Sequence, residues 1–571
     1  MMNIMYDRWC QAVGRELDME RLKRNARQIH ELERSGSCRD FSKSMDACAE
    51  MLRRAGAVEV EKIALKADGK TAYMDYIMPQ AWDLDDARLE LPDAGLLLAD
   101  LKRDRLCVAN HSAPFDGVLD LVSFEDLKAG KADATGKLVF TASHDELVDV
   151  QRAGAAGLVY SNLAGVPGGT YWINGWSSPG WHHTAEDRKI FGFSLTPERG
   201  AALAKRLEQG PAQARALVKS RLYDGEVYTV TGRLAGESEE ELCLLSHVYE
   251  PFLADAATGA AELVELCRTL KTLVSDGSLP PLRKSVRFIV SMERYGFAAH
   301  FGAPANAKKA LWAVNMDANT HNVPGMPLYL RSSPACSPHF CDLLLKDLVD
   351  NHFPGLKYTE QPGNFSDDTF IADPQVGVPC NWFLTPSGKY HHNSAPEFDL
   401  PDWDVCALVT KTVGSCVAFL STAKADDFVQ MAGRLRRLAD GDDAFMAAWR
   451  QGRLLSINRF APGTVDGREL NVTASEPPRT AMEREADNMV IARTDAHLPF
   501  SQARIPHRER SAHNYDAELV IPWADGKRSL WDILELLRHE HGRSFSDQDI
   551  SALIAFLRRV GEHGYVETRG K

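Results

Sequence analysis

The stretch LCLLSHVYEPFLADAATGAAEL, residues 242–263, decides how the chain folds. Its opening LCLLSH is almost wholly apolar, as in a strand buried on both faces, and a more polar loop follows. Asp255 then leads into a helix-forming segment whose Leu263, Leu266 and Leu270 share one face. The same order of strand, loop and helix returns at VRFIVSM (286–292), LWAVNMD (311–317) and VPCNWFL (378–384). Near-continuous apolar strands alternating with amphipathic helices predict an α/β fold, a mainly parallel sheet flanked by helices.

Open sheets of this kind bind ligands in the crevice at the carboxyl ends of their strands. His247 ends the first strand, Glu293 follows the second and Asp317 ends the third. Asp255 lies in the turn after the first strand, and His391 in the loop SGKYHHNSAPEFD after the fourth. Each alone has an ordinary reading. A strand-end aspartate is more often a cap or turn residue, and a lone histidine more often a satisfied structural one. Their joint placement predicts a site, because chance would scatter them over both ends of the sheet. Asp367 and Asp368 in GNFSDDTF are expected near the same pocket, either holding a substrate ammonium group or closing a turn. Trp382 and Tyr390 are expected either to line a side-chain pocket or to join the core.

Composition narrows the function classes. A chain of 571 residues splits into about three or four domains. A net charge of −13 argues against coating nucleic acid, which needs a clustered basic surface. No run approaches the roughly 18 uninterrupted apolar residues of a membrane helix. The N-terminal stretch meets charges at Asp7, Arg8, Arg15 and Glu16, unlike a secretory leader. Eleven cysteines, scattered singly without a CxxC pair, suit reduced thiols and a cytoplasmic location, and offer no thiolate zinc cage.

Outward from the sheet, residues 6–55 read as two or three helices and VEVEKIAL (58–65) as a strand. The sheet domain is expected over 1–88 and 225–424, interrupted at 89–224 by a β-rich insertion. In that insertion GKLV (136–139) and RAGAAG (152–157) resemble the protease-associated domain, a non-catalytic module that frames the active-site cleft of several exopeptidases. His182 and His183 of the insertion either overhang the cleft or sit in a surface turn. Beyond 425 the chain is expected to end in a winged-helix-like module. It would consist of a strand AELVIPW (517–523), helices striped by Leu530, Ile533, Leu534, Leu537 and by Ile550, Leu553, Ile554, Leu557, and a final GYVE. Ser546 with Asp549 is expected to cap the second helix. Acids among its basic residues (Arg538, Arg558, Arg559) favour a protein or peptide partner over DNA.

The segments SHVYEPFLADAATGAAEL, RFIVSMERYGF, AVNMD and KYHHNSAPEFD resemble successive motifs of the family-28 zinc metallopeptidases. The order GNFSDDTFI, GVPCNWF, YHHNSAPEFD is similar to aminopeptidase-like families of unknown function within that clan. The resemblance implies a phosphorylase-like α/β/α fold and a zinc-dependent aminopeptidase or amidohydrolase cleaving an N-terminal residue from a small peptide or amide. Matched residue by residue, it implies His247, Asp255 and His391 as metal ligands, Asp317 as a further carboxylate ligand and Glu293 as general base. Such donors suit Zn²⁺, which lowers the pKa of a bound water to about 7.

The departures carry expectations of their own. Arg294 stands where two-zinc enzymes have a second glutamate ligand. A guanidinium cannot bind a metal, so one zinc is expected, and Arg294 becomes a candidate substrate contact. Tyr249 replaces the aspartate that orients the first histidine, and His392 competes with His391 as ligand. Two alternatives stay open: intramolecular acyl transfer, as in the related glutaminyl cyclases, and a peptide-binding scaffold with a degraded site. Self-association is also left open.

Overall fold

The computed structural model describes residues 5–33, 36–174, 184–323, 325–365, 367–386, 388–395, 399–438, 443–473, 476–512 and 514–571. His182 and His183 lie outside them. Eight strands form the main sheet, numbered with those of the insertion set aside: β1 (Val58–Ala67), β2 (Gly225–Leu234), β3 (Ser238–Val248), β4 (Lys284–Met292), β5 (Ala310–Asn315), β6 (Leu328–Arg331), β7 (Tyr358–Gln361) and β8 (Cys380–Leu384). Their order is β1-β2-β4-β3-β5-β8-β6-β7. The centre, β4-β3-β5-β8, is parallel, whereas β1, β2 and the β8–β6 pair are antiparallel. Every residue of β5 is buried, as its near-continuous apolar run requires.

Three N-terminal helices, α1 (Asp7–Glu16), α2 (Met19–Leu32) and α3 (Cys38–Arg54), pack with α4 (Thr258–Ser275) and α6 (Trp403–Thr422) against this sheet; the short α5 (Tyr295–Phe301) follows β4. An 18-residue window of α6 has a mean hydropathy of 1.5, long and apolar enough to cross a membrane. Its Thr, Ser and Lys411 interrupt any apolar run, which is why the sequence did not mark it; 78% of its apolar window is buried inside the protein. Gly259 lets α4 approach the sheet. A Cβ there would stand 2.3 Å from the Met316 carbonyl oxygen and 2.7 Å from Ser246 Oγ.

The inserted sheet has seven strands and begins at Ala81, ahead of the expected boundary at 89, because Ala81–Leu91 pairs along its length with Ala212–Tyr223. One half is antiparallel. The other half, Phe115–Ser123, Leu138–Thr141, Gly157–Tyr160 and Phe191–Ser194, runs parallel. The insertion has its own apolar clusters, and a small one of Leu106, Trp172 and Phe252 joins it to the loop after β3.

The C-terminal region holds a three-stranded antiparallel sheet and several helices, among them α7 (Leu530–His541) and α8 (Asp547–Glu562). Ser546 and Asp549 form the anticipated capping box. The expected strand AELVIPW is instead a helix, Tyr515–Val520, running into a tight turn at Ile521–Trp523. Asn514 caps it by accepting the Asp516 and Ala517 amides at 3.1 Å, a local bond that overrides the apolar pattern. The region shares one continuous core with the main sheet. Glu540 of α7 is buried and accepts the Ala335 amide at 2.7 Å.

Two tests follow from this packing. Gly259→Ala should cost about 1–3 kcal/mol, read from denaturant unfolding, because backbone lies where the methyl would go. Burial pushes Glu540 from an ordinary 4.5 up to about 8. The unfolded chain releases that proton near its ordinary value and the folded chain keeps it longer, so stability should fall as pH rises between the two. Glu540→Gln should flatten that fall in a series of melting curves.

Candidate metal centre

The carboxyl edge of the parallel strands opens into a cavity of about 640 Å³ whose wall includes His247, Asp255, Glu293, Asp317 and His391. His247 is the penultimate residue of β3 and Glu293 follows β4. Asp255 sits in a single π-helical turn, Leu253–Ala257, leading into α4. That turn is held from two sides: Asp399 accepts the Leu253 amide, and the Ala318 amide donates to the Asp255 carbonyl at 3.1 Å.

Among the described residues, Glu250, Asp255 and His392 form a group of ligand atoms that are all buried and mutually within 4.8 Å. His392 Nε2 stands 3.3 Å from Glu250 Oε2 and 3.7 Å from Asp255 Oδ2. Beside them, His247 Nε2 lies 3.5 Å from Asp317 Oδ1 and 3.8 Å from Glu250 Oε2. Neither His247 Nε2 nor Asp317 Oδ1 has a hydrogen-bond partner among the described residues, although both are buried. Orphaned donors of this kind, facing one another at hydrogen-bond range or just beyond, are what a cation would satisfy.

The charges agree. Burial and the neighbouring Asp255 and Asp368 hold the Asp317 carboxyl well above the usual range, against the pull of His247. Burial and Glu250 also raise Asp255 above its ordinary value, with His321 and His392 opposing. Glu250 goes the other way, because His392 and His247 more than reverse the effect of burial and hold it well below the usual value. A divalent ion placed here would invert the like-charge repulsion among these acids. The donor set therefore fits zinc.

Other side chains hold the donors in place. His247 Nδ1 bonds Asp368 Oδ2 at 2.9 Å, and Asp368 Oδ1 accepts the Arg294 amide at 2.7 Å. Asp368 is thus buried behind the wall and orients the imidazole, a role different from the ammonium contact or turn that the sequence suggested. Tyr249 has turned away to pack edge-on against Phe41 of α3. His321 Nε2 lies 3.3 Å from Asp255 Oδ1. His392 is caged: Phe252 lies parallel at 5.8 Å, Trp172 edge-on at 5.2 Å and His391 stacked at 3.9 Å. The Trp172 amide also donates to the His392 carbonyl at 2.6 Å, so the insertion itself positions this ring.

Of the adjacent histidines, His392 is the one set on Asp255. His391 lines the cavity farther out, and the His392 charge together with burial pushes it down to about 3. Arg294 pairs with Asp367 at 2.7 Å and approaches Glu293 at 3.2 Å, and both Arg294 and Asp367 face the cavity. Tyr390 instead packs against the Trp172 and Phe252 cluster. Burial pushes Glu293 up to about 8, with Arg294 opposing. Glu250 and His321 went unnoticed in the sequence; the only signal for Glu250 was a charge within VYEPF between the candidates His247 and Asp255.

Tyr249, Arg294, Ala318, Asp367 and His392 all have left-handed φ, between 47° and 108°. Each such residue costs roughly 1–3 kcal/mol. Their concentration around one cavity marks it as the place where strain is retained.

The sequence matches no family model and no curated protein. Solved structures do match. A candidate peptidase from Clostridium acetobutylicum aligns over 98% of this chain and 99% of its own, at 15% identity and a TM-score of 0.51. A peptidase M28 precursor from Shewanella amazonensis aligns over 74% and 97%, at 14% identity and 0.52. BSAP, a zinc aminopeptidase from Bacillus subtilis, aligns over 72% and 96%, at 16% identity and 0.50. The fold is shared with these peptidases. The Clostridium match extends the likeness across the insertion and the C-terminal region.

Asp368→Asn should loosen His247 and weaken zinc binding by about 10–100-fold in a chelator competition, with little change in melting temperature.

Proposed function

We propose that this chain is a zinc-dependent hydrolase that removes an N-terminal residue from a small peptide or amide. The convergence of Glu250, Asp255 and His392 beside the orphaned His247 and Asp317 donors carries this reading. That trio would hold one zinc, with His247 and Asp317 beside it. When bound, zinc polarises the scissile carbonyl and lowers the pKa of water to about 7.

The chain's own residues do the rest. Glu293, on the cavity wall and 8% exposed, takes the proton of the attacking water and returns it to the leaving amine. Arg294 is tied to Asp367 and Glu293, so it orients the base rather than approaching a metal. Tyr171 and Asn174 of the insertion and Phe500 and Glu518 of the C-terminal region wall the cavity, which suits a short substrate. The C-terminal region, expected to hold a partner, takes on this closing role in the proposal.

Glu293→Ala should lower kcat/KM by about 10²–10⁴-fold while zinc content stays near wild type. Full activity in that variant would remove Glu293 from the mechanism. Metal analysis separates the histidines: His392→Ala should lose stoichiometric zinc and His391→Ala should keep it.

A further inference from the structure

One cation on the cavity wall takes no part in the metal group. Arg331 ends β6 and pairs across the sheet with Trp382 of β8, its guanidinium carbon 4.8 Å from the centre of the Trp382 ring. The Trp382 indole N–H donates to the Asp317 carbonyl at 2.7 Å. A single indole therefore separates the guanidinium from the metal end of the same cavity. Among the described residues no carboxylate pairs with Arg331, whose hydrogen bond is a long one of 3.4 Å to Asn364 Oδ1. Asp367, the acid whose charge acts on it most, is engaged by Arg294. Burial works against the Arg331 charge, yet an arginine stays protonated. A planar fork of donors against an aromatic ring at the cavity wall, with no paired carboxylate among the described residues, suits an oxyanion, which in a peptide is a carboxylate.

We infer that Arg331 receives a carboxylate of the substrate, so that the site selects short acidic substrates, dipeptides with a free C-terminus foremost. The scissile-bond part of this inference rests on the hydrolase reading above; the anion site does not. Two sources of the carboxylate fit, the α-carboxylate of the leaving residue or an acidic side chain at that residue.

Full-length protein, Arg331→Ala and Arg331→Lys, checked for zinc content and melting temperature, would be assayed on Ala-Ala, Ala-Ala amide and Ala-Glu amide. Wild type should favour Ala-Ala over its amide by about 10–100-fold in kcat/KM, the size of a charge-assisted hydrogen bond. Arg331→Ala should bring that ratio near parity, and Arg331→Lys should keep part of it. A preference for Ala-Glu amide would place the carboxylate on the side chain. Indifference of wild type to the carboxylate, or full preference in Arg331→Ala, overturns the inference. Calorimetry with N-acetylalanine and its amide needs no turnover. Binding of the acid alone, lost in Arg331→Ala, upholds the anion site even if no peptide is cleaved, an outcome that would count against the hydrolase reading. Equal binding of acid and amide overturns the anion site even in an active enzyme.

Discussion

Glu250, Asp255, Glu293, Asp317 and Asp368 are buried together at one edge of the main sheet, and the local structure is arranged around that concentration of negative charge. Removing several carboxylates from water is costly unless each is paired or bonded. His247 lies between Asp317 and Asp368, His392 faces Glu250 and Asp255, and His321 faces Asp255 from the other side. Arg294 meets Glu293, while its backbone amide serves Asp368. Among the described residues, His247 Nε2 and Asp317 Oδ1 face one another without a hydrogen bond. A bound cation would offset part of this concentrated charge.

That arrangement needs parts from distant segments. β3, β4, β5 and the loop after β8 supply the donors, and the turn before α4 brings Asp255 in at close quarters because Gly259 has no side chain to keep α4 away. The insertion contributes Trp172, which holds His392 through both its ring and its amide. The C-terminal region contributes through Asp75, which accepts the Ser501 amide at 2.9 Å and the Tyr565 hydroxyl. This fixes the chain beside Phe500, whose ring stacks on Tyr76 at 4.2 Å and lines the cavity. Modules that look separable along the sequence are joined by the site they enclose.

The left-handed backbone at Tyr249, Arg294, Ala318, Asp367 and His392 belongs to the same arrangement. At Tyr249 it points the phenol into the α3 core and leaves Glu250 facing the cavity. At Arg294 it aims the amide at Asp368. Strain of this size persists only where the surroundings over-determine it, and here they do so through ion pairs, stacked rings and buried amide bonds.

What the sequence determined by itself was the sheet. Near-continuous apolar runs at 242–247, 286–292, 311–317 and 378–384 satisfy burial on both faces best as central strands, and their ends name one edge. His247, Asp255, Glu293 and Asp317 were legible there, since the period of a strand and the turn after it fix which residue emerges at the crevice. The tertiary structure decided what lies between strands. His391 and His392 are neighbours in sequence with identical chemistry, and only the aromatic cage from Phe252 and Trp172 turns one of them toward Asp255. Asp367 and Asp368 divide in the same way, one toward the cavity and one behind its wall, because the left-handed φ at Asp367 turns the chain between them. Loop conformation depends on contacts made far away in sequence, and no local pattern of residues encodes such contacts.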